Sequence, residues 1–285
     1  MTTMPTNITD AHVHYWDPSL RPYGWLGELP SLNKPFLPGD FSKATDGIGI
    51  SRIIFVESGC DASHAIDEVD WVSSLSVHDT RIAGIVANAP LELGSGVRNH
   101  LIRLAERPLV KGVRRLLQGE IDPDFCLRTG FLEGVAMLQE FGFTMDLCIR
   151  HEQLAAVTEL VRQFPGVSFI LDHFGKPPVK KGELEPWHSQ LREFAKLPNV
   201  TCKVSGLTTE ADWECWTAVD LKPYFDTVLE SFGADRVIFA GDWPVCTLAT
   251  EYQRWVSTVA ELTSSLSAED AVKLFRSNAE RIYRI

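Results

Sequence analysis

The chain has 285 residues, 45% hydrophobic and 23% charged, with a formal net charge of −11. That is the profile of a water-soluble globular protein with enough residues for a large core. The acidic excess excludes nucleic acid and an anionic membrane surface as partners, and no apolar run reaches the ~20 residues of a membrane span.

Short apolar, β-branched runs alternate with longer segments of helical period. The first strand is predicted over residues 8–14 and holds Asp10-Ala11-His12-Val13-His14. Side chains on a strand alternate between faces, so His12 and His14 share one face and Val13 takes the other. Residues 15–47 follow, with Pro18, Pro22, Pro30, Pro35 and Pro38 and little helical period, which predicts a functional loop. Its Tyr15, Trp16, Tyr23 and Trp25 are placed to wall a pocket. Strand 52–57 ends on Glu57, and helix 62–78 carries Ile66, Val69, Val72 and Leu75 three apart. Strand 82–87 and helix 95–106 come next. Strand 110–116 contains Arg114-Arg115 and precedes helix 129–140. Strand 143–149 contains Asp146, with Arg150 just beyond it and helix 151–163 after. Strand 167–172 runs into Asp172-His173 and helix 186–196. Strand 200–204 holds Lys203, then Ser205, and precedes helix 221–232. Strand 236–240 leads to Asp242. Helices 250–264 and 268–283 close the chain, the latter capped by Ser267 with Glu269 and Asp270 at its positive end.

Eight strand-plus-helix units with strands apolar on both faces predict a (β/α)₈ TIM barrel, with room for distortion, spanning residues 1–285 as one domain. An open doubly wound sheet would bring a Gly-rich phosphate loop after the first strand. The loop Tyr15-Trp16-Asp17-Pro18-Ser19-Leu20-Arg21-Pro22 has neither GxGxxG nor a Walker pattern. Six cysteines without CxxC or finger spacing read as reduced thiols in a cytoplasmic protein. The polar start, Met1 to Asn7, lacks the apolar core of a secretion signal.

A barrel brings its C-terminal strand ends to one face. His12, His14, Glu57, Arg114 or Arg115, Asp146, Arg150, Asp172 or His173, Lys203 and Asp242 would meet there. Strand alternation lets only one of each adjacent pair face inward. Glu57, Arg114, Arg115 and Lys203 read equally well as partners in structural ion pairs. Two imidazoles side by side can hold a divalent metal or grip a polarised oxygen directly.

The run Asp10 to Pro18 resembles the start of the amidohydrolase superfamily, most closely its lactonase branch of sugar-lactone, sulfomuconolactone and pyrone-dicarboxylate hydrolases. Further landmarks are Gly112-Val113-Arg114-Arg115-Leu116-Leu117-Gln118, Asp172-His173-Phe174-Gly175-Lys176-Pro177, Lys203-Val204-Ser205-Gly206-Leu207, Gly241-Asp242-Trp243-Pro244 and Asn278-Ala279-Glu280-Arg281-Ile282-Tyr283. The resemblance implies opening of a lactone ring by water, with Asp242 handling the proton and His173 contacting the carbonyl or water. Arg114-Arg115 stands where many relatives carry a metal-bridging group, so a binuclear site is not expected. The predicted cofactor is one divalent ion, Zn or Mn, on His12, His14 and Asp242 with Glu57 as a fourth ligand; metal-free operation is the alternative. Asp172 can orient a ligand from behind. The predicted substrate contacts are Arg114, Arg115, Arg150, Lys203, Trp16 and Tyr23. The arginines and lysine suit an anionic lactone, and the aromatic loop with Glu57 and Asp146 suits a neutral sugar lactone. Val204-Ser205-Gly206 does not match the GxSxG elbow, so no acyl-serine is expected. The rival functions are a decarboxylase or hydratase of the same superfamily and a barrel that only binds. The partner is a small molecule, and the oligomeric state is not legible.

Overall fold

Eight parallel strands follow one another in chain order, each hydrogen-bonded to the next. They are β1 (Ile8–Val13), β2 (Ile50–Val56), β3 (Ile82–Asn88), β4 (Val110–Arg114), β5 (Thr144–Leu147), β6 (Phe169–Leu171), β7 (Val200–Val204) and β8 (Val237–Phe239). This computed structural model describes residues 6–285; residues 1–5, part of the segment read above for a secretion signal, lie outside it. The cylinder closes where Asp242 N–H donates to His12 O at 2.9 Å and His14 N–H to Trp243 O at 2.8 Å. The two histidines and the aspartate therefore sit on the closing seam itself. The helices are α1 (Pro38–Ala44), α2 (Ala65–Leu75), α3 (Arg98–Ala105), α4 (Thr129–Phe141), α5 (Leu154–Gln163), α6 (Trp187–Ala195), α7 (Leu207–Glu210), α8 (Ala218–Phe232), α9 (Tyr252–Leu262), α10 (Ala268–Val272) and α11 (Asn278–Tyr283). The predicted (β/α)₈ barrel is the observed one.

Strand alternation divides the core in two. On β2, Ile54 and Val56 point inward and pack with Ala11, Val86, Ile170, Ile238 and Ala240 in the barrel axis. Ile53 and Phe55 point outward into the larger layer between strands and helices, against Val69 and Val72 of α2. Among the described residues no helix is long and apolar enough to cross a membrane. The six cysteines are free thiols, five of them buried.

Three parts depart from the sequence reading. The loop 15–47 is not wholly irregular: Trp16 and Phe36 exchange backbone hydrogen bonds at 3.1 and 2.9 Å, a 3₁₀ turn covers Gly24–Glu28, and α1 follows. Helix α8 starts at Ala218, three residues before the predicted start, where the Asp220 carboxylate accepts from Thr217 N–H and Oγ–H, both at 2.8 Å. The last helix is interrupted by a π-turn over Lys273–Ser277, which re-aims α11. The turned helix lies across the N-terminal mouth of the barrel. Asn278 Nδ2 donates to Ala234 O at 2.7 Å and Val237 O at 2.9 Å, and Tyr283 enters the axis with no exposed surface.

Asn278→Ala strands two carbonyls, one of them fully buried, and should cost about 1–3 kcal/mol. Urea unfolding is expected to show a lower midpoint with an unchanged m-value. An unmoved midpoint would mean that the Asn278 hydrogen bonds contribute nothing to holding α11.

Candidate active site

His12 and His14 face the axis together, as alternation requires, and each imidazole is gripped from behind. His14 Nδ1 lies 2.8 Å from Val56 O. A carbonyl only accepts, so His14 carries a proton on Nδ1. His12 Nδ1 lies 3.1 Å from Lys203 Nζ and 3.4 Å from Asp172 Oδ1. The two Nε2 atoms approach to 3.0 Å.

Asp242 reaches the same point because its backbone leaves the strand conformation: its φ is +54°. A buried carboxylate holds that turn. Asp10 accepts from Gly241 N–H at 2.8 Å, His12 N–H at 2.9 Å and Tyr252 O–H at 2.7 Å. Gly241 fits only as glycine, since a Cβ there would stand 2.2 Å from the Tyr252 ring. Burial pushes the Asp10 carboxyl up to about 6. Asp242 Oδ1 ends 3.5 Å from His14 Nε2 and 3.7 Å from His12 Nε2. Burial pushes its carboxyl up, but His173, His14 and His12 together hold it well below the usual range, so it is ionised.

The same device corrects one expectation. Asp172 and His173 both turn into the site, because β6 stops at Leu171 and His173 has φ +53°. Asp172 faces Arg114 and Lys203, and His173 Nδ1 lies 2.8 Å from Ser205 Oγ and 4.0 Å from Asp242 Oδ2. Gly206 supplies the space, since a Cβ on it would sit 2.7 Å from Cβ and Cγ of His173. Burial pushes the His173 imidazole down to about 4.

Beneath these groups lies an ionic layer. Arg114 donates from Nε to Glu57 Oε1 at 2.7 Å and from Nη1 to Asp172 Oδ2 at 3.1 Å. Lys203 lies 2.5 Å from Asp146 Oδ2 and 2.9 Å from Asp172 Oδ1. Burial works against both cations, but their carboxylate partners outweigh it and hold them charged. Tyr283 O–H donates to Asp146 Oδ2 at 3.0 Å, tying the chain's end to this layer.

The cavity above, about 550 Å³, is floored by His14, Arg114, His173 and Asp242 and walled by Trp25, Gly59, Leu116, Gln118, Cys148, Lys176 and Val245, among others. Several predicted contacts stand elsewhere. Glu57 is no free ligand: Arg114 occupies Oε1 and Gly59 N–H occupies Oε2 at 2.8 Å. Arg115 points away from the axis to Glu92 and Glu120. Lys203 has no exposed surface and lies under His12. Arg150 donates to Gln118 O and borders an outer cleft. Trp16 is fully buried, its indole N–H shared between Leu32 O and Lys34 O, and Tyr23 O–H reaches Glu68. Trp25 is the loop aromatic that lines the cavity, anchored by its N–H to Ser58 O at 2.9 Å. Sequence reasoning missed Gln118, Cys148 and Lys176 as cavity walls. It also missed Asp10 as the holder of the Asp242 turn, although a carboxylate inside an apolar strand was a signal.

A sequence model of the amidohydrolase family matches residues 9–285. The chain belongs to the amidohydrolase family. This amidohydrolase is 32% identical to an L-fucono-1,5-lactonase of Burkholderia multivorans, with 97% of this chain and 95% of that one covered. It is 26% identical to an L-rhamnono-gamma-lactonase of Scheffersomyces stipitis, with 72% and 69% covered. A crystal structure of a Burkholderia multivorans amidohydrolase with bound Zn superposes with a TM-score of 0.88 at 32% identity, covering 98% of this chain and 100% of that one.

The amidohydrolase site fits one divalent ion. Ligands ~2.0–2.1 Å from a tetrahedral zinc stand about 3.3 Å apart, and His12, His14 and Asp242 present donor atoms 3.0–3.7 Å apart. His173 also brings a ring nitrogen within 4.8 Å of His12 and Asp242 donors. Four buried carboxylates, Glu57, Asp146, Asp172 and Asp242, face the buried cations Arg114 and Lys203, an imbalance that a 2+ ion offsets.

The buried neutral His173 makes stability depend on pH. Below about 6.5 the unfolded chain takes up a proton that the folded protein refuses until about 4. Stability from this site is therefore full above 6.5 and falls as pH drops towards 4, by about 3 kcal/mol in all. His173→Gln should lose that much less than the wild type over this window in urea unfolding. Parallel curves would show that His173 does not titrate in that way.

Proposed function

We propose that this amidohydrolase opens a neutral sugar lactone by direct attack of water, with Asp242 as general base and then general acid. The observation that carries the reading is an ionised carboxylate on the floor of a cavity whose cations are already engaged. Among the described residues, Arg114 and Lys176 are the cationic side chains lining it. Arg114 is held by Glu57 and Asp172, and Lys176 Nζ faces Glu210 Oε1 at 3.7 Å. A carboxylated or sulfonated lactone would have to draw Arg114 or Lys176 from its carboxylate partner, whereas a polyol ring finds hydrogen-bonding groups such as Gln118. The names of the relatives, L-fucono-1,5-lactonase and L-rhamnono-gamma-lactonase, support the same class.

The chemistry follows from the residues. Asp242 takes a proton from water as the oxygen attacks the ring carbonyl carbon. The carbonyl π-electrons move to oxygen, and the imidazoles of His14 and His173 border that position. As the tetrahedral species collapses, the ring C–O bond breaks and Asp242 returns the proton to the leaving alkoxide, giving a hydroxy acid. His12, His14, His173 and Asp242 would hold a divalent ion, which when bound supplies a Lewis acid and lowers the pKa of water towards ~7. A covalent route has no suitable nucleophile here. Ser205 is fully buried against His173, and burial pushes the Cys148 thiol up to about 11.

Asp242→Asn should lower kcat by about 10²–10⁴-fold, read as acid release from a panel of aldonolactones. Turnover within tenfold of wild type removes Asp242 from the base role. Neutral lactones should exceed carboxylated and sulfonated ones by about 10²-fold in kcat/KM, because an added charge would have to draw a cation from its carboxylate partner. The reverse order sinks the neutral-substrate reading, and release of CO₂ from keto acids without lactone turnover sinks hydrolysis altogether.

A further inference from the structure

Beside the cavity lies a second, smaller cleft of about 220 Å³, lined by Arg150, Glu152, Lys176, Lys180, Lys181 and Glu210, among others. Lys176 lines both the cleft and the cavity. Arg150 is fastened to the cavity wall, because its Nε–H donates to the carbonyl of Gln118 at 3.2 Å. The two hollows are therefore neighbours across a single side chain.

The cleft runs against the charge of the chain. Four of its side chains are cationic, in a protein of formal net charge −11. Both of its carboxylates already face a partner: Glu152 stands 3.5 Å from His151 Nε2, and Glu210 stands 3.7 Å from Lys176 Nζ. Lys180 faces Asp212 at 3.4 Å. Arg150 and Lys181 remain, and among the described residues neither is ion-paired. Gln118 O takes only Nε of Arg150. Its two Nη groups are left, and a guanidinium offers a carboxylate parallel N–H bonds.

Lactone opening changes the charge of the molecule in the cavity. A neutral ring and water become a hydroxy acid, whose carboxyl is ionised at neutral pH. The new carboxylate forms beside ionised Asp242, and like charges repel. We propose that the cleft is a site for the carboxylate of the product, separate from the catalytic floor, which takes the hydroxy acid and passes over the lactone. Arg150 grips the carboxylate through its Nη groups, and Lys181 adds a second positive charge. The cleft is smaller than the ~300–1,000 Å³ of pockets that enclose a whole ligand. It therefore holds the charged end, while the polyol tail lies along Lys176 towards the cavity. The inference rests on lactone opening as the reaction.

Calorimetry on the full-length protein compares L-fuconate, the acid form of one relative's lactone, with L-fucitol, the same polyol with an alcohol in place of the carboxylate. The wild type should bind the acid at least about tenfold more tightly, the worth of one charge-assisted pair. Arg150→Gln combined with Lys181→Gln should erase that preference, and the charge-preserving Arg150→Lys with Lys181→Arg should keep it. Initial rates on the fastest aldonolactone should stay within about threefold of wild type in both double variants, since neither residue meets the lactone. Equal binding of acid and alditol by the wild type, or none of either, overturns the proposal. So does a preference that survives the double Gln variant, which would place the carboxylate on the catalytic floor, and so does a larger loss of rate, which would make the cleft a substrate site. Failure of the lactone reading shows separately, as no acid release by the wild type, because the binding measurement needs no turnover.

Discussion

Charge buried without water is the constraint on which this structure depends. Arg114, Asp146 and Lys203 come from strands β4, β5 and β7, and Glu57 and Asp172 from just past β2 and β6; all are buried, with Arg114 alone reaching the cavity floor. Each would be costly alone, and removing one partner leaves the other stranded. The layer therefore ties five strand ends together through paired charges. It also decides what the cavity above can recognise. By engaging Arg114 below, it leaves a floor of imidazoles and one ionised carboxylate, a surface for water and a polarised carbonyl.

The reactive groups stand above this layer because the backbone turns sharply where strands end. His173 and Asp242 both occupy the left-handed region, with φ of +53° and +54°. Non-glycine residues rarely sit there without support. Here the support is visible: Gly206 yields space to the His173 ring, and Asp10 with Tyr252 and Gly241 fixes the turn before Asp242. Since Asp242 N–H also closes the barrel seam onto His12 O, fold closure and placement of the carboxylate are one event.

The far end of the barrel joins in. The π-turn re-aims α11 so that Tyr283 enters the axis and donates to Asp146, which in turn pairs with Lys203 beneath His12. The last helix is thus both the plug of the N-terminal mouth and the lowest support of the site.

The sequence by itself determined the eight strand–helix units, the shared face of His12 and His14, and the position of Asp242 just past the last strand. Periodicity and alternation are local, and local sterics settle them. The tertiary structure alone decided which partner takes each charge. Arg114 finds Glu57 from 57 positions away, and Lys203 reaches His12 across 191. Arg115, next in sequence and identical in chemistry, goes to Glu92 and Glu120 outside the axis. Alternation predicted that only one of the two arginines would face inward but not which, and it failed at Asp172-His173, where a positive φ turns both inward. Pairing of buried charges depends on distances between strands that no window of sequence contains, and so the inventory of the site was legible while its wiring was not.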